Sequence, residues 1–175
     1  MDLTVAYDGV KSARRTVVHL LPGIAVVLDE GEFDESEEIS LRWHTAVAAT
    51  PNKQGAFEVK KDDVSLAVQV SVLEGELRDF RMRRHRYAAP FDKDRTGEFL
   101  EQRREPYVET RLKDRRYRVL SLFSLAEGAS TSETWRQEHD GWSIGTNAGE
   151  CHVQVDDRFL SVSDQSILKS LRVRL

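Results

Sequence analysis

Cysteine is nearly absent from this chain: Cys151 stands alone among 175 residues. One thiol excludes an internal disulfide and any multi-cysteine zinc site, and fits a cytosolic origin as well as a secreted bacterial one. Long apolar runs are missing too. The longest stretch, Val17 to Leu28, is broken by His19 and Pro22-Gly23, well short of the roughly eighteen apolar residues of a membrane helix. Asp2 follows Met1 with neither a basic region nor an apolar segment behind it, so no secretory signal is visible. The five histidines fall in no HxH, HxxxH or HExxH spacing, which leaves no local scaffold for a metal ion. Cys151 and His152 are neighbours, and on a strand they would face opposite sides. No GxSxG elbow is present, and Gly145 to Gly149 reads as a turn rather than a phosphate cradle. These absences point to no cofactor and to no catalysis by this chain alone. With a pI near 5.8 and no RNA- or DNA-binding signature, nucleic acid is not an expected partner, and neither is a membrane.

What is present is period-two alternation. Val64, Leu66, Val68, Val70 and Val72 occupy one face of a run whose odd positions are small or polar. Ile39, Leu41 and Trp43 alternate with Ser40, Arg42 and His44. Around Tyr117 to Leu125 both faces are apolar, as in a strand at the centre of a sheet. Turn signals separate these runs: Pro22-Gly23, Lys61-Asp62, Asp140-Gly141 (expected as a type I′ hairpin) and Asp156-Asp157. The pattern predicts one all-β domain over residues 1–175, an antiparallel two-sheet β-sandwich of ten or more strands with little helix. A lipocalin-like barrel lined by Val64 to Val72 is the competing architecture.

Charge is distributed in blocks. Asp29 to Glu38 holds seven acids in ten positions, whereas Arg78 to Arg86 holds five arginines in nine. A second basic stretch runs from Lys113 to Arg118. Such blocks are commonly solvated faces. Arginine forks nevertheless match carboxylate and sulfate oxygens in pairs. On the strand from Arg78, Phe80 and Met82 share one side while Asp79, Arg81 and Arg83 share the other. Arg81, Arg83 and Arg86 are therefore candidate contacts for an acidic polysaccharide. Trp135 and Trp142 flank the Asp140-Gly141 turn. They are candidate sugar-stacking rings, with a core role as the simpler expectation for such large aromatics.

The opening block Ser12 to Thr45 reads as three strands with ordered landmarks: Arg15-Thr16-Val17, then Val26-Val27-Leu28-Asp29, then Leu41-Arg42-Trp43-His44, with Asp8-Gly9 before them. Together with Pro106 to Leu125, this series resembles the C-terminal β-sandwich region of heparinase II/III-like polysaccharide lyases. The resemblance implies a domain of a larger protein, periplasmic or secreted, whose helical partner domain carries the catalytic groups and whose substrate is an acidic polysaccharide cleaved by β-elimination. The family's catalytic Tyr and His and its metal-binding histidines have no counterpart here, so no catalytic residue is carried over. Arg15, Asp29, Trp43 and His44 are then family landmarks, expected to make a structural polar pairing. A free-standing carbohydrate-binding module, or another ligand-binding or assembly β domain, is the alternative function.

Overall fold

The computed structural model describes residues 1–4, 9–20, 23–86, 93, 95–98, 104–127, 134–146, 149–164 and 169–175. Within them the chain is all-β, with ten strands in two antiparallel five-stranded sheets, the composition of a two-sheet sandwich. It divides into two compact units, Met1–Ser130 and Thr131–Leu175.

The first unit contains β1 (Val10–Leu20), β2 (Ile24–His44), β3 (Ala56–Lys61), β4 (Val64–Arg86) and β5 (Arg104–Glu127), in the sheet order β1-β2-β5-β4-β3. The doubly apolar β5 is central, as its sequence predicts. Three of these strands are far longer than the short ones expected. What reads as separate strands on either side of the acidic block is one strand, β2, and the same holds for the two runs that form β4 and the two that form β5. The ends of β2 and β5 meet by folding over. Trp43 pairs with Val108 on β5, yet its ring packs edge-on against Phe123 at 4.8 Å. Fifteen residues of straight strand would separate those two β5 positions by roughly 50 Å. Each long strand must therefore bend, and the far half of the sheet lies over the near half.

The core confirms the bend. Ile39, Val108 and Leu112 from the far half cluster with Phe57, Val68, Val70 and Val119 from the near half. Val68 and Val70 thus pack against a second layer rather than line an open barrel, which removes the lipocalin-like alternative. The corner coincides with register shifts at Glu32/Glu37 on β2 and from Val72 to Asp79 on β4. Such bulges sharpen a strand's bend and twist. Gly75 sits in this corner at φ +106°, a conformation that side chains disfavour.

The second unit holds β6 (Arg136–Gln137), β7 (Trp142–Thr146), β8 (Gly149–Val155), β9 (Phe159–Asp164) and β10 (Lys169–Arg174), a meander in the order β10-β9-β8-β7-β6. Ile144, Cys151, Val153 and Leu160 are fully buried in it. The turn after β6 closes through the Glu138 amide donating to the Gly141 carbonyl at 2.8 Å. Neither Asp140 nor Gly141 has positive φ, so this is not the type I′ turn expected. Gly141 is required for another reason: a Cβ there would lie 2.2 Å from the Val153 carbonyl oxygen.

Candidate functional site

The charge blocks meet each other across the corner of the first unit. Glu30 accepts from Arg14 at 2.9 Å and from Arg118 at 3.1 Å. Glu32 pairs with Arg116 at 3.0 Å and Glu38 with Arg111 at 2.8 Å. The acidic block is therefore strand, and the second basic stretch lies opposite it on β5. Cross-strand pairing of opposite charges accounts for Glu30, Glu32 and Glu38, while residues 34–38 form an exposed strand face, as such blocks commonly do.

Three of the four landmarks converge on the inner side. Arg15 and Asp29 are directly opposed on β1 and β2, and the guanidinium donates twice to the carboxylate, Nε to Oδ1 at 2.6 Å and Nη2 to Oδ2 at 3.1 Å. Trp43 arrives from the far half with its ring 5.1 Å from the Arg15 guanidinium carbon, a cation–π contact. Asp29 is only 4% exposed, and burial pushes its carboxyl above the ordinary range despite the arginine, with Glu30 adding to the rise. Its environment joins the two layers. His44, one residue beyond Trp43, faces the other way. It stacks on Tyr107 at 5.3 Å, lies near His85, and has Nδ1 3.4 Å from Glu105. Asp8 lies outside the described residues.

On that outer face of the far half, β2, β5 and β4 place polar side chains in register. Arg42 opposes Glu109, which opposes Arg81; Ser40 opposes Arg111, which opposes Asp79; Arg83 opposes Tyr107. The apolar alternates Leu41, Val108, Phe80 and Met82 fall on the inner face. An open pocket of about 330 Å³ lies there, lined by Glu38, Ile39, Ser40, Arg42, Arg83, Tyr107, Glu109 and Arg111. Glu109 is its floor, 3% exposed. Its Oε1 accepts from the Ser40 hydroxyl at 2.6 Å and from Arg42 Nε at 3.1 Å, while Oε2 pairs with Arg83. Burial opposes its charge, but these donors and the two guanidinium charges outweigh burial and hold the carboxyl below the ordinary range. A carboxylate held so firmly in its charged form is a fixed counter-ion, unsuited to exchanging protons near neutrality.

Of the expected sugar contacts, Arg83 lines this pocket, and Arg81 sits on the same face paired with Asp79. Arg86 ends β4; its side chain lies outside the described residues. Trp135 and Trp142 are corrected by the structure: at 7% and 8% exposure they present no ring face for a sugar. They pack in the second unit because its short strands need large apolar volume to form a core. Ser40, Arg42, Tyr107, Glu109 and Arg111 were not singled out as site residues by sequence. The signal for them was the polar phase of two alternations, Ser40-Arg42-His44 and Tyr107-Glu109-Arg111, which only pairing brings together. Among the described residues, no three His, Cys, Asp or Glu side chains gather as a metal ion requires.

Comparison with solved structures finds the same fold in heparinase III. Two structures of one heparinase III gene product, one of them with methylated lysines, superpose with TM-score 0.59 at 14% identity over 97% of this chain. A structure titled crystal structure of heparinase III gives TM-score 0.56 at 15% identity over the same share. This chain spans 24% of the length of each. No protein-family model matches the chain, and no curated protein does.

Proposed function

We propose that this chain is a non-catalytic β-sandwich domain of a polysaccharide lyase, one that supports a cleft for an acidic polysaccharide while another part of the protein performs β-elimination. One observation carries the reading: 97% of the chain takes the fold of a segment amounting to 24% of heparinase III. Two features of the site agree with a supporting role. Both deeply buried carboxylates among the described residues of the first unit, Asp29 and Glu109, are committed to arginine partners. The exposed polar pocket is rich in arginine, the side chain that best matches carboxylate and sulfate groups.

Calorimetric titration of the chain with heparin oligosaccharides, against dextran as a neutral control, tests the reading. Binding of the acidic glycan alone is expected. No unsaturated uronate should accumulate on prolonged incubation. Release of unsaturated product by the chain by itself would overturn the non-catalytic assignment, and equal affinity for dextran would overturn the acidic substrate. The same binding would serve a free-standing carbohydrate-binding module. With both tryptophans buried, that alternative rests on the arginine face alone.

A further inference from the structure

We infer that Arg42 and Arg111 form a subsite for a single carboxylate or sulfate group of an acidic sugar, at the mouth of the pocket floored by Glu109. The inference rests on the acidic-polysaccharide reading above and locates its contact. Arg42 opposes Glu109, and Arg111 is two residues further along β5. The two arginines are therefore diagonal neighbours on one face, about 7–8 Å apart at the backbone. Two long guanidinium side chains at that spacing can close on one tetrahedral or planar anion from both sides.

The pocket face carries surplus positive charge. Arg42, Arg83 and Arg111, with Arg81 beside them, face Glu38, Glu109 and Asp79, leaving one positive charge over in a chain whose net charge is −4. Glu109 does not repel an incoming anion strongly, because both its oxygens are already occupied by Ser40, Arg42 and Arg83. Instead it fixes its neighbours. Arg42 is held at Nε by Glu109 and across its plane by Tyr107, whose ring lies 5.3 Å from the guanidinium carbon. Its two terminal nitrogens have no partner among the described residues, and the side chain remains 49% exposed. Arg111 spends one terminal nitrogen on Glu38, itself 67% exposed, and that contact is easily exchanged for a ligand. Donors held in place before binding lose little freedom when the anion arrives.

The test compares wild type, Arg111→Ala, the double variant Arg42→Gln/Arg111→Ala and the control Arg116→Ala. The control removes an exposed arginine at the corner, away from the pocket. Probes are heparin oligosaccharides, hyaluronan oligosaccharides (carboxylate without sulfate) and inorganic sulfate, each titrated calorimetrically, with circular dichroism to verify folding. Arg111→Ala should fold normally, since its partner is solvent-exposed, and should weaken acidic glycan binding about tenfold; the double variant should lose roughly a further tenfold. Weakened binding of both glycans assigns the group to the carboxylate, and weakened binding of heparin and sulfate alone assigns it to the sulfate. If Arg111→Ala binds heparin as tightly as Arg116→Ala does, the subsite is wrong while the polysaccharide reading stands. If wild type binds none of the probes, that reading fails and the subsite with it.

Discussion

Asp29 and Glu109 are both almost wholly buried, both lie on long strands of one sheet, and both are held by arginine. Their surroundings nevertheless drive them in opposite directions. Asp29, in the near half, receives two hydrogen bonds from a single guanidinium and has Glu30 beside it; burial prevails and its carboxyl is raised. Glu109, in the far half, accepts from the Ser40 hydroxyl and from Arg42 and has the charge of Arg83 beside it; together these prevail and its carboxyl is lowered. At Asp29 one arginine does not offset desolvation, whereas at Glu109 the Ser40 and Arg42 hydrogen bonds and the Arg42 and Arg83 charges together do. The difference also separates structure from site. Asp29 faces inward and holds Arg15, whose guanidinium meets Trp43 from the other layer. Glu109 faces outward and spreads arginines around an open pocket.

The largest expected effect comes from Glu109→Ala. It leaves the buried Arg83 Nε without its counter-charge and the Ser40 hydroxyl without its acceptor over an empty floor. Breaking a buried pair by removing one partner costs about 3 kcal/mol or more, and urea unfolding should register a loss of that size. Asp29→Asn should cost less, about 1 kcal/mol, because Asn keeps one acceptor and Arg15 is 31% exposed and can turn to water. Equal losses at the two positions would erase the distinction drawn between them.

The pH dependence sharpens the contrast further. For Glu109 the folded state holds its proton less tightly than the unfolded chain, whose carboxyl titrates near 4.5. Its contribution is therefore present above that pH and is lost as pH falls through the lower folded value. The stability difference between wild type and Glu109→Gln should shrink on acidification. For Asp29 the sign reverses. The folded state holds the proton more tightly than the unfolded reference near 3.8, so ionisation costs stability as pH rises through the raised folded value. The difference between wild type and Asp29→Asn should shrink as pH rises. Parallel slopes for the two variants, measured by urea unfolding from about pH 3 to 7, would contradict the opposite directions.

Much of the all-β architecture was legible because period two survives in every long strand. Leu66 to Val72 and Ile39 to Trp43 occupy the faces their alternation predicts, and β5 is buried on both faces from Val119 to Leu122, although Leu125 at the end of that run is exposed. The bend was not legible. The acidic block reads locally as a solvated segment because its partners are remote; Glu30 accepts from Arg118, 88 residues away. Runs that look like pairs of strands were single strands, since a bulge in the middle of a strand interrupts the pattern as a turn does. The site was hidden for the same reason. Ser40 and Arg42 reach Glu109 across 69 and 67 residues, and no local motif links them. Arg83 was visible through the density of its own basic run, and Arg15 and Asp29 through their order in a family-like series. The two tryptophans follow the simpler of their two expectations: the hairpin turn between them allowed a surface platform, but both rings are buried, as large aromatics in a small sheet tend to be.

The smallest expected effect separates two arginines of one strand. Arg81 and Arg83 share a face of β4, and both pair with Asp79. Only Arg83 also reaches the buried Glu109; Arg81 is 55% exposed and has Asp79 as its sole acidic partner among the described residues. An exposed pair of that kind contributes little, because solvent screens it and two long side chains must be ordered to make it. Arg81→Ala should therefore change unfolding stability by no more than about 0.5 kcal/mol. Arg83→Ala should lose several times as much, since it withdraws one of the two guanidinium charges that keep Glu109 ionised. If the two variants unfold at the same urea concentration, the pocket floor does not depend on Arg83. Ser40 and Arg42 would then hold Glu109 unaided, and the two-arginine explanation of its lowered carboxyl would have to give way to a one-arginine one.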